Sequence, residues 1–145
     1  MAITTNAICN SFKGQIIQGQ HNFTASTGNK FKLAMYTTAA TLGASTTSFT
    51  TVGQVSSSGY TSGGKALVNS GVKVSGAVAI TNFSNVSFTG VTLSARGALI
   101  YNSSATNKAV CVLDFGGTKT ATAGTFTVQF PAFTTSAAII RIGNA

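Results

Sequence analysis

The sequence predicts an all-β fold, a single antiparallel β-sandwich of jelly-roll type carrying one short N-terminal helix. Three observations carry that expectation. Only 7% of the 145 residues are charged, against roughly 25% in ordinary soluble domains, so the polar surface must come from Thr, Ser, Asn and Gln. Thr alongside Val, Ile and Phe favours strands, and the 16 glycines supply turns. Many short apolar runs follow one another with Gly-rich turns between them, the pattern of a sandwich. At 14.6 kDa the chain is long enough to bury a real core. It reads as one virtually unbroken domain over residues 1–145, with 1–20 as a helical arm.

Taken in order, residues 4–18 place Ala7, Ile8, Phe12, Ile16 and Ile17 near one helical face. Thr4 or Thr5 is the expected cap, and Gly19 sits where a left-handed C-terminal residue is wanted. Residues 31–37 read as a strand. Residues 38–64 are mostly Thr, Ser, Gly and small side chains, interrupted by Leu42, Phe49, Val52, Val55 and Tyr60. So long a stretch is not an inert loop; it either hugs the domain with short strands or meets a neighbour. Short strands are expected at 66–68, 72–74, 77–83, 86–88 and 91–93. Residues 125–130 alternate Thr or Gln with Phe126, Val128 and Phe130, giving one wet face, and Pro131 ends the run. A final strand is expected at 137–142.

Residues 96–117, RGALIYNSSATNKAVCVLDFGG, form the centre of the fold. Two apolar runs flank a loop rich in Asn and Ser, a hairpin signature. Pairing Ile100 with Val110 sets Arg96 opposite Asp114, the one acidic residue in the chain, as a register-setting ion pair. In that register Leu99, Tyr101, Cys111, Leu113 and Phe115 share one face, and Ala98, Ile100, Val110 and Val112 the other. Neither run alternates with polar residues, so both faces should be covered, one by a second sheet and the other by a helix or a neighbouring subunit.

The chemistry is sparse. One carboxylate excludes paired-carboxylate acid–base machinery within the chain. His21 is the single histidine and reads as an ordinary hydrogen-bonding loop residue, with no G-x-S-x-G elbow to present a nucleophile. Cys9 and Cys111 read as buried free thiols, a disulfide being the less favoured alternative. No metal-ligand spacing is present, and no cofactor is expected. Gly59-Tyr60-Thr61-Ser62-Gly63-Gly64-Lys65 has the G-x-x-x-x-G-K form of a phosphate loop. The following Ala66 lacks the hydroxyl offered to Mg²⁺, and an extended run follows instead of a helix; a turn holding a half-buried Tyr60 is the better reading.

Nine basic residues give a formal net charge of +8. They are scattered, with Lys30 and Lys32 the densest pair, so the charge reflects loss of acids and an acidic partner surface more than nucleic acid. The sequons at Asn22, Asn82, Asn85 and Asn102 mean little without a secretion signal, and none is visible at the N-terminus. No apolar run approaches the ~20 residues of a spanning helix. Synthesis in a cytoplasm without membrane association is expected. Contact with a partner is expected of residues 2–12 and 38–60, with Ile8, Phe12, Leu42, Phe49 and Tyr60 as candidate contact residues.

Four strings extend this reading. FKLAMYTTAATLGASTT from Phe31, SGYTSGGK from Ser58, ARGALIYN from Ala95 and AVCVLDFG from Ala109 together resemble a family of small virion structural proteins of tailed bacteriophages. The resemblance runs in order from about residue 11 to 142. It implies a non-enzymatic protein, located in the virion and most simply on the capsid surface. Its expected role is that of a decoration or cement protein, binding the major capsid protein as a homo-oligomer, dimer or trimer, and stabilising the head. A tail, adaptor or fibre-base component is the alternative within that class, and a glycan-binding module, disfavoured by the absence of Trp, the alternative outside it. The chain departs from the family pattern in charge: Gln54 stands where Glu is expected, and Asn82 and Asn85 lie where Asp is common.

Overall fold

A computed structural model describes residues 3–143 and is all-β and sandwich-like, with antiparallel sheets and one short helix. The elements are β1 (Ala7–Ile8), α1 (Asn10–Ile17), β2 (Phe31–Tyr36), β3 (Lys65–Ala66), β4 (Asn69–Ser75), β5 (Val78–Phe83), β6 (Val86–Asn102), β7 (Lys108–Val128) and β8 (Ile140–Ile142). The larger sheet has the order β1-β7-β6-β2-β3, and the smaller one β4-β5-β8.

The helix is shorter than its apolar spacing suggested. Ala7 and Ile8 pair with Val112 and Cys111 instead of joining it. Cys9 therefore takes the N-cap position in extended conformation, with no side-chain cap, and neither Thr4 nor Thr5 serves. The C-terminal end is as expected: Gly19 adopts φ +74° and its N–H donates to the Ile16 carbonyl.

β6 and β7 form one hairpin of 17 and 21 residues. The runs expected at 86–88, 91–93 and 96–101 are a single strand, because Gly90, at φ +62°, absorbs a register shift between Phe88 and Val91 without ending the ladder. The register differs by one residue from the charge-based expectation. Ile100 pairs with Cys111, Leu99 with Val112, Ala98 with Leu113 and Gly97 with Asp114. Opposed residues share a face, so Leu99 lies with Val112 and Ile100 with Cys111, not Leu99 with Cys111.

Both faces of this central sheet are dry. On the face of Ile100, Leu33 and Phe31, the cover is aromatic: Phe23 stacks on Phe31 at 4.4 Å, and Phe83 of the smaller sheet lies 5.7 Å from it. Phe12 of α1 joins this cluster, 5.9 Å from Phe23. On the face of Leu99 and Tyr101 the cover is the chain's own segment 38–64, not a neighbour. Phe49 stacks on Tyr101 at 4.7 Å, the Tyr36 hydroxyl donates to the Thr50 carbonyl at 2.7 Å, and the Tyr101 hydroxyl donates to the Gly63 carbonyl. Single bridges tie the segment down at Tyr36–Gln54 and Ser48–Lys108. Ile3, fully buried, closes the far end over Gly97, where an added Cβ would lie 2.7 Å from its Cδ1 and 2.5 Å from the Leu113 carbonyl.

Candidate functional site

Arg96 and Asp114 do form an ion pair. Its geometry is that of a bulge clamp. Between Ala95, paired with Lys119, and Gly97, paired with Asp114, β6 advances two residues while β7 advances five. The Asp114 carboxylate accepts from the Arg96 guanidinium and from the Gly116 N–H at 2.8 Å, and the Asp114 N–H donates to the Asn6 side chain at 2.6 Å. Gly116 takes the positive φ (+78°) that this loop-out needs. The hydrogen bond from Arg96 and the one from Gly116 hold the carboxyl below its usual 3.8. Both hydrogen bonds end on Oδ1 and come from the fold itself. Neither His21 nor either cysteine bonds to it.

His21 is buried, at 6% exposure, and shares no hydrogen-bond partner with Asp114. Its ring lies 4.7 Å from that of Phe12. Nε2 faces the Gln15 Oε1 at 2.8 Å, and Nδ1 faces the Asn102 Nδ2 at 3.0 Å. The Ser104 N–H donates to the Asn102 Oδ1, which fixes the amide with its NH₂ toward the ring. His21 is thus the neutral Nε2–H tautomer: it donates to Gln15 and accepts from Asn102. Burial, and secondarily the positive charge of Lys108, lower its pKa from 6.5. Asn102 also donates to Asn29 at 2.9 Å. The site is a satisfied core network. Sequence spacing held no sign of it, since His21, Asn29 and Asn102 come together only through tertiary packing.

The glycine-rich turn 59–65 is closed to phosphate. The Gly63 N–H donates to the Gln54 Oε1 at 2.7 Å, the Gly64 N–H to the Thr61 carbonyl at 2.9 Å, and the Lys65 ammonium to the Ser87 carbonyl at 2.6 Å. Gly64, at φ +81°, lies flat on β2, where any Cβ would overlap the Leu33 carbonyl. Tyr60 bridges the open edge of β2: its hydroxyl accepts from the Met35 N–H at 3.0 Å and donates to the Gln54 Oε1 at 2.8 Å. Burial pushes its pKa up to about 12.

The remaining candidate contact residues divide. Phe12 and Leu42 are buried in the core, at 2% and 6% exposure. Phe49 and Tyr60 are half-buried against the sheet and against Phe88. Ile8 is half-buried and lines clefts on two sides of β1 and α1. Exposed apolar side chains that the sequence did not single out as contact residues include Ile17 at 87%, Val74 at 72%, Val72 at 55% and Ile142 at 54%.

Cys9 and Cys111 are both free and buried, and burial raises both thiols, Cys9 to about 11. Among the described residues no three of His, Cys, Asp and Glu come together, and no helix is long and apolar enough to cross a membrane. The chain matches no protein-family model, no curated protein and no solved structure.

Proposed function

We propose that this chain is a non-enzymatic structural protein of a tailed-bacteriophage virion, a decoration or cement protein that binds the major capsid protein and stabilises the head. The observation that carries the reading is the contrast between the engaged polar groups and the free apolar ones. His21, Asp114, Tyr60 and the Gly63 and Gly64 amides of the glycine-rich turn are each bonded within the fold, while large apolar side chains stand on the surface. Such a molecule works by burying surface against another, and stable contacts of this kind bury about 1,200–2,000 Å². The resemblance of the four strings to small phage virion proteins points the same way.

Oligomerisation as a dimer or trimer belongs to the same proposal. No strand among the described residues pairs with the outer edge of β7 beyond Val112, and such an edge is a template for another copy.

Particles of the encoding phage, made without this chain and with it added back, test the reading. Heads lacking it should release their genome at a lower temperature, and the purified chain should restore the wild-type threshold. Identical heat resistance in both preparations would overturn a cementing role.

A further inference from the structure

The smaller sheet carries an apolar face that runs out beyond the core. Across its three strands, Val72, Thr81 and Ile140 form one row, and Val74, Ala79 and Ile142 the next. The inner row is partly sealed, with Thr81 and Ile140 at 6% and 7% exposure, but Val72, Val74 and Ile142 are more than half exposed. Helix α1 ends beside this face. Ile16 borders both of the clefts between helix and sheet, of about 440 and 680 Å³, and Ile17 projects almost fully into solvent at the larger one. Exposed apolar side chains gathered on one sheet face and across the cleft from it mark an interaction site.

Charge identifies the occupant. Lys13 and Arg141 line the same cleft as Ile17 and Ile142, with Arg141, opposite Ile80 in the register, on the other side of β8 from Ile142. Neither meets a carboxylate: Lys13 reaches the Asn10 side chain at 3.5 Å and Arg141 the Thr135 carbonyl at 3.4 Å. The chain has one acidic side chain, and Arg96 holds it. A second copy docking face to face on this surface would bring these cations against one another with no side-chain carboxylate of the described residues between them.

The geometry points to the α1–β8 face, with Ile17, Val72, Val74 and Ile142 at its centre and Lys13 and Arg141 at its rim, as the docking surface for a different protein whose contact patch is apolar and edged by carboxylates. This rests on the virion reading for the identity of that protein, the capsid shell, and goes beyond it by assigning the face and the charge of the contact.

Binding of the purified chain to phage particles made without it, measured over a salt series, tests the assignment. Ile17→Glu with Ile142→Glu should weaken binding by about tenfold or more, since it places like charge at the centre of the contact. Lys13→Gln with Arg141→Gln should slow association several-fold and flatten its salt dependence. Val52→Glu, on an exposed side chain elsewhere, is the control and should bind as wild type. Unchanged melting temperatures establish that each variant is folded, and the Gln pair, confined to exposed side chains, keeps the test valid if the Glu pair is not. Wild-type binding with no loss in either pair would overturn this face while leaving the virion reading intact. No binding by the wild-type chain would overturn both. A free chain that sediments as a dimer dissociated by Ile17→Glu would make the occupant a second copy and overturn the assignment.

Discussion

His21 and Asp114 are the two side chains a reader of the sequence would pick for chemistry, and both are bonded into the fold. Their titrations separate by pH. Above about 6.5 His21 is neutral folded or unfolded and has no effect on the balance. Below 6.5 the unfolded chain takes up a proton that the folded ring resists, because burial, and secondarily the charge of Lys108, disfavours the imidazolium. Stability therefore falls as pH drops from 6.5 toward the lowered folded value. Asp114 acts lower: its contribution is full above 3.8 and is lost as pH falls through its depressed folded value. Urea unfolding midpoints measured from pH 8 to pH 3 should decline in two stages. His21→Gln should flatten the first and Asp114→Asn the second; a first stage unchanged in His21→Gln would contradict the network. Gly97→Ala should cost about 1–3 kcal/mol by forcing Ile3 and the Leu113 carbonyl apart, and equal stability would show that the N-terminal segment does not seal that end.

At the scale of elements, the long hairpin was legible in outline and illegible in register. Its two unalternating runs announced a centre with both faces covered, and the aromatic layer and segment 38–64 cover them. Charge misled the pairing. Arg96 reaches Asp114 from beside Gly97, not from directly opposite, because β7 loops out at Gly116 and shifts again between Ile100 and Tyr101. Bulges leave no periodic trace in a Gly- and Thr-rich sequence, so three expected strands proved to be one. The helix was overextended for a related reason: the apolar pair Ala7–Ile8 suits a helix face and a strand edge equally, and only pairing with β7 decides. In segment 38–64, Phe49 is the aromatic anchor on Tyr101. Phe49→Ala should remove the stacking on Tyr101 and cost about 2–3 kcal/mol. Amide exchange should then quicken in residues 47–55, and exchange that quickens nowhere would mean the segment is held by other contacts.

The molecule as a whole is a basic β domain with a surface built largely from uncharged polar residues and a group of exposed apolar side chains on its smaller sheet. Composition foretold the first half, since a chain with 7% charged residues must build its surface from Thr, Ser, Asn and Gln. The exposed face of Val72, Val74 and Ile142 was not legible, because alternating apolar residues in a short strand look the same whether the domain or a partner covers them. The proposed structural role in a virion would make that face useful and the scarcity of chemistry unsurprising. The most direct test is the number of copies of this chain in purified particles of the phage proposed to encode it, counted by quantitative mass spectrometry against the major capsid protein. A decoration role predicts hundreds of copies, in fixed ratio to the shell. Absence from the particle, or only a small ring's worth, would contradict it.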